Sequence, residues 1–73
     1  MSIELNNEEK IEIINDRINF WKMILDAKNI DMAELQKINN ESKINDLLIH
    51  VENTNAKIAI LQQMLAGLTN EPN

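Results

Sequence analysis

The chain has 73 residues, with 12 acidic against 7 basic side chains and a formal net charge of −5. A domain this small buries only about 60% of its unfolded surface, so there is room for one domain or one subunit of an assembly. With no Cys, one Gly and one Pro, the composition excludes disulfides, thiolate metal sites, thiol nucleophiles and a glycine-rich phosphate loop, and the acidic balance argues against a protein that grips nucleic-acid backbone.

Hydrophobic residues make up 44% and charged residues 26%, a folding rather than a disordered composition. Met1-Ser2-Ile3-Glu4-Leu5 has no basic region followed by an apolar stretch, so no signal peptide is expected. No apolar run approaches the length of a membrane span. Twelve Ile and twelve Asn are what an AT-rich coding genome would give. Asn is a mediocre helix former, so helices here must be held by packing.

Residues 1–6 read as a lead-in. Asn6 offers an N-cap with Glu9 as its capping-box partner, and Glu8, Glu9 and Glu12 suit the positive end of a helix. Apolar residues then recur in steps of three and four, at Ile11, Ile14, Ile18, Trp21 and Leu25. This is the a/d pattern of a coiled-coil seam. The next d position is Lys28, where the seam fades. A second stripe at c and g positions, Ile13, Phe20, Ile24 and Ala27, with Arg17 in the gap, widens the apolar arc to about 160°. That is more than a two-helix contact needs, so helix 1 is expected to touch more than one neighbour.

Ile30-Asp31-Met32-Ala33-Glu34-Leu35 reads as a helix start. Asp31 is the cap, Glu34 its box partner, and Ile30 with Leu35 a hydrophobic staple. Asn29 can end the preceding helix in the left-handed conformation. A turn is therefore expected at 29–31. Helix 2 has its own seam, at Ile44, Leu47, Val51, Thr54, Ile58, Leu61, Leu65 and Leu68, widened by Leu48. The two seams are out of phase by two residues, so a break is required between Lys28 and Ile44. Asn39-Asn40-Glu41-Ser42 offers a second break, as a kink or short loop. Gly67 fits a helix C-cap with Leu68 folding back, and 69–73, with Pro72, should fray.

The predicted fold is all-α, a single antiparallel two-helix hairpin with helices over about 7–28 and 32–66. Helix 2 would then overhang helix 1, leaving Ile58, Leu61, Leu65 and Leu68 in need of a partner. The expected partner is a second copy, in a dimeric four-helix bundle or a longer coiled coil.

Few residues suggest chemistry. His50, the single histidine, has Asp46 one turn before it, a pair able to orient an imidazole. No nucleophile or second base accompanies it, and an ordinary i,i+4 contact at the seam edge suffices. Glu8, Glu12 and Asp16 share one face, but a calcium loop or Glu-x-x-His pairs are missing, so they read as a solvated face. Phe20 and Trp21 are the aromatic pair. Aromatics at an interface centre are frequent hot spots, whereas Trp21 on the seam also suits core packing. Lys28 and Thr54 occupy d positions, where polar residues can fix register. For Lys28 the expectation is a snorkelling side chain at the frayed end of helix 1. Asn40-Glu41-Ser42 matches a glycosylation sequon, which without a signal peptide carries no weight. The seven basic residues are scattered, so neither a basic groove nor a membrane-surface helix is expected.

Two resemblances follow. Leu5-Asn6-Asn7-Glu8-Glu9-Lys10-Ile11-Glu12-Ile13-Ile14-Asn15 and Asn55-Ala56-Lys57-Ile58-Ala59-Ile60-Leu61 resemble short uncharacterised coiled-coil proteins of marine tailed phages, over about half the chain. That resemblance implies a phage-type origin and no activity. Ser42 and Asp46, with Leu48 following, resemble the Ser-Gln-Glu-Leu-Asp spacing of the small Spo0E-type aspartyl-phosphate phosphatases, themselves helical hairpins. Lys43, Ile44 and Asn45 replace the three middle residues.

The expectation is a non-enzymatic interaction module without cofactor or metal: an adaptor, assembly factor or inhibitor of a host protein. Its partners would be itself and a host or phage protein, not nucleic acid or membrane. Phe20, Trp21, Ile24, Ile58, Leu61, Leu65 and Leu68 are the candidate interaction residues. The location would be the cytoplasm, that of the host if phage-encoded. The alternatives are a virion component or fibre-folding chaperone, and a phosphatase using Ser42 and Asp46.

Overall fold

The computed structural model describes residues 4–69. They form an antiparallel hairpin of two helices, α1 (Asn7–Lys37) and α2 (Glu41–Thr69), and the described residues contain no strand. The all-α hairpin expected from the periodicity is the fold.

The start of α1 follows the sequence signal. The Asn6 side chain accepts from the Glu9 backbone N–H at 2.8 Å, and the Glu9 carboxylate accepts from the Asn6 N–H at 3.4 Å, closing a capping box. Two otherwise orphaned donors are thereby satisfied.

The turn is not at 29–31. Helix α1 runs through Asn29, Ile30 and Asp31 without interruption, and the chain reverses at Ile38–Asn40. The seam explains why. From Lys28 it continues in phase to Met32 and Leu35, and all three are half-buried. Breaking the helix at Asp31 would strand backbone donors and carbonyls and move Met32 and Leu35 off the contact. The cap-and-staple pattern at 30–35 is therefore inert, and Ile30 points to solvent at 63% exposure.

The break demanded by the two phases falls on the second candidate. Asn39 takes φ 55°, in the left-handed region. Its N–H donates to the Gln36 carbonyl at 3.2 Å, and the Asn40 N–H donates to the Leu35 carbonyl at 3.2 Å. These are the paired bonds of a Schellman ending, with Asn where Gly is commonest. Asn40 then caps α2, its side chain accepting from the Lys43 N–H at 3.2 Å and its carbonyl from the Ile44 N–H at 2.9 Å. A two-asparagine step thus ends one helix and starts the next.

Moving the turn changes the proportions. The helices have 31 and 29 residues, so the arms match and the expected overhang of α2 does not exist. Ile14, Ile18 and Leu61 form the core, with Trp21, Leu65 and Leu68 packed against it, and Ile58 is buried as well. Helix α2 also continues past Gly67 in helical conformation to Thr69. Gly67 is therefore not its C-cap, and Leu68 packs on the core as part of the helix. The expected fraying beyond Thr69 lies outside the described residues.

Thr54 is the most buried of the described side chains, 2% exposed. Its hydroxyl donates to the His50 carbonyl at 2.8 Å and accepts from Lys28 Nζ at 3.0 Å. Lys28 is thus not at a frayed helix end. It sits inside α1 and reaches across the seam, so the two polar d residues meet as one layer.

Candidate interaction surface

With both seams buried against each other, the flanks of the hairpin are distinguished by their heptad positions. One flank is lined by the g and c residues of both helices, which adjoin the d side of each seam. On α1 these are Lys10, Ile13, Arg17, Phe20, Ile24, Ala27, Asp31 and Glu34. On α2 they are Lys43, Asp46, His50, Asn53, Lys57, Ile60, Met64 and Gly67. The opposite e and b flank is largely Asn, Gln, Ala and acidic residues, with Leu48 as its one large exposed apolar side chain among the described residues.

The g/c flank is uneven. A groove of about 690 Å³ lies near the turn, between Asp31, Glu34 and Ile38 on the α1 side and Lys43, Asp46 and His50 of α2. A second, of about 660 Å³, lies near the open end, between Lys10, Ile13 and Arg17 on one side and Met64 and Gly67 on the other. A shallower depression between them is walled by Arg17, Trp21, Lys57 and Ile60. All three follow the same flank.

Its centre is aromatic. Trp21 is half-buried on the seam, and its ring meets Phe20 edge to face, with centroids 5.5 Å apart and planes at 77°. Lys57 Nζ stands 4.3 Å from the Trp21 ring centroid. This is the distance of a cation–π contact, an arrangement in which a lysine stem can cover apolar surface. Phe20 remains 57% exposed and Ile60 likewise 57%.

The candidate residues therefore divide. Phe20 and Ile24 lie on the g/c flank, and Trp21 borders it from the seam. Ile58 and Leu61 are consumed by the hairpin's own core, and Leu65 and Leu68 pack against it. Sequence reading misses Ile60 and Met64, which face this flank from α2. The signal is present, because both continue the c and g positions into the second helix. His50 and Asp46 line the turn-end groove together, while Ser42 stands exposed one turn before Asp46 at the start of α2. The described residues hold no cluster of three or more His, Asp or Glu able to share a metal ion. None of their helices is long and apolar enough to cross a membrane.

In comparisons with known proteins, no family model, curated protein or solved structure matches the chain.

Proposed function

We propose that the protein is a non-enzymatic interaction module whose g/c flank docks against protein. It would be an adaptor, assembly factor or inhibitor of a host protein of the kind phages encode. One observation carries this reading: among the described residues, the hairpin leaves more large apolar side chains outside than inside. Four apolar residues are buried, Ile14, Ile18, Ile58 and Leu61. Five others, Ile13, Phe20, Ile38, Ile60 and Met64, stay exposed along one flank, at 39%, 57%, 68%, 57% and 51%. Scattered apolar residues need no explanation, but a contiguous apolar flank beside an aromatic centre marks an interaction site.

The test is whether any association depends on this flank. Self-association is followed by sedimentation, and capture of a foreign protein by affinity purification from host lysate. Wild-type chain is compared with Phe20→Ala and Ile60→Ser, each checked for helicity by circular dichroism. The expected result is an association that both variants weaken. If neither self-association nor a specific capture responds to these variants, the reading fails.

A further inference from the structure

We infer that the g/c flank is the interface between two copies of this chain, stacked with a two-fold axis across the helices so that their turns lie at opposite ends of a four-helix bundle. The inference rests on the reading of that flank as an interaction surface and specifies its occupant and geometry. It is argued from the distribution of charge along the flank. The open-end half carries Lys10 and Arg17 and no acidic residue at a g or c position, and Lys57 stands near the middle. The turn-end half carries Asp31, Glu34 and Asp46 against Lys43. The flank is therefore positive at one end, apolar and aromatic around Lys57 in the middle, and net negative at the other.

Two copies can pack this flank face to face about a two-fold axis in two ways. With the axis along the hairpin, both turns lie at one end and α1 of each copy lies over α2 of the other, so Lys10 and Arg17 face uncharged Met64 and Gly67 and find no anion, while Asp31 and Glu34 come against Asp46 as well as Lys43. With the axis across the hairpin, α1 lies over α1 of the other copy, and its positive end covers the acidic end of that helix. Electrostatic complementarity excludes wrong registers more than it adds affinity, and here it selects the second arrangement. The g positions of α1 give the register: Lys10, Arg17, Ile24, Asp31 and Ile38 are spaced evenly about Ile24. With Ile24 on the axis, Arg17 and Asp31 lie two helical turns to either side, so each Arg17 faces the Asp31 of the other copy. Among the described residues, neither forms an ion pair within its own chain. Phe20 and Ile60 then fill the middle of the interface, where large apolar residues contribute most.

The experiment uses charge reversal and one distance. Sedimentation equilibrium of the full chain gives the dimer constant of wild type, Arg17→Glu, Asp31→Arg and the double variant. Each single reversal is expected to weaken the dimer about tenfold, and the double variant to recover most of the loss, because two symmetric pairs change together. An equimolar mixture of the two single variants should likewise associate more tightly than either alone. Positions 17 and 31 are about 21 Å apart along one helix at ~1.5 Å per residue, so rescue cannot arise within a chain. Because the chain has no native Cys, a spin label on Glu41→Cys at the turn gives the orientation. The expected separation is about 45 Å, twice the rise from Ile24 to the turn. A label separation under about 25 Å, too short for turns at opposite ends, or single reversals without rescue, overturns the inference. A chain that stays monomeric up to about millimolar concentration also overturns it, while a capture that depends on Phe20 would leave the interaction-module reading standing.

Discussion

Lys28 Nζ donates to Thr54 Oγ1 at 3.0 Å across the seam, and that hydroxyl in turn donates to the His50 carbonyl. The two residues break the apolar pattern of their helices at the same level, so each supplies the other's partner. The arrangement is asymmetric. Thr54 is buried and keeps its bond to His50 whatever happens at Lys28, whereas Lys28 is half-buried and loses its acceptor if Thr54 changes. Lys28→Met should therefore be near neutral in urea unfolding. Thr54→Val should cost about 1 kcal/mol in the wild-type background and much less once Lys28→Met has been made, for a coupling of about 1 kcal/mol in the double-mutant cycle. A coupling near zero would mean that the bond contributes nothing to the choice of register.

The turn gives a second prediction. Asn39 holds φ 55°, a conformation that costs a residue with a Cβ about 1–2 kcal/mol and that Asn tolerates better than most. Asn39→Gly should raise stability by about 0.5 kcal/mol, the relief of strain exceeding the added entropy of the unfolded chain. Asn39→Val, β-branched and therefore worse in this region, should lower it by at least about 1 kcal/mol. Thermal melts at one fixed protein concentration check both, since association would otherwise move the midpoint.

How much of this is legible in the sequence turns on two asparagines and one lysine. The capping box at Asn6, the two seams and their phase difference are all readable, and they require a hairpin. The position of the turn is not, because two local signals compete. Asp31–Leu35 has the richer cap-and-staple pattern, while Asn39–Asn40 has only two residues that tolerate a turn. The tertiary contact decides between them. Reading Lys28 as the end of the seam hides that Met32 and Leu35 continue it, and a lysine in a d position is acceptable only because Thr54 faces it. A single chain read locally does not show that partner. For the same reason Ile58 and Leu61 read as an overhang, when equal arms bury them. The flank that remains exposed is half legible, through Phe20 and Ile24 on α1. Its α2 side becomes visible only once both helices are in register.

Position 29 tests that reversal directly. Asn29 lies on an exposed position inside α1, so Asn29→Ala should stabilise by up to about 0.7 kcal/mol, the gain in helix propensity. Asn40→Ala removes the cap of α2 and the acceptor of the Lys43 N–H, and should cost about 1 kcal/mol. If the turn lay at 29–31 the two signs would exchange. Urea midpoints of the two variants, measured side by side, are sufficient.

The packing of the core predicts a much larger effect than any of these. Ile18 is 6% exposed and belongs to the cluster with Ile14 and Leu61. Ile18→Ala removes buried methyl groups and leaves a cavity between two helices that have few other buried contacts, at a cost of about 2–5 kcal/mol. That is comparable to the whole stability a core of this size supplies, so the variant should be largely unfolded by circular dichroism at room temperature. Met23→Ala, at a position 71% exposed on the outer face of the same helix, should change stability by less than about 0.5 kcal/mol. Equal losses at the two positions would mean that the outer face of α1 is also covered.

Lys57 and Trp21 offer a spectroscopic handle on the flank itself. The chain has one Trp and no Tyr, so its fluorescence reports on this site alone. Lys57 Nζ lies over the ring, and the exposed pair should contribute about 0.5–1 kcal/mol. Lys57→Ala removes both the charge and the stem that shields the ring, and should shift the emission to the red as water reaches the indole. Lys57→Arg keeps a cation and a planar stacking surface and should leave emission close to wild type. Dilution should add its own red shift in the wild type if the flank is covered by another molecule, because the ring borders that surface. Lys57→Ala emission unchanged from wild type would show that the lysine does not cover the ring in solution. A red shift on dilution that is lost in Phe20→Ala would tie the covering molecule to the aromatic centre of the flank.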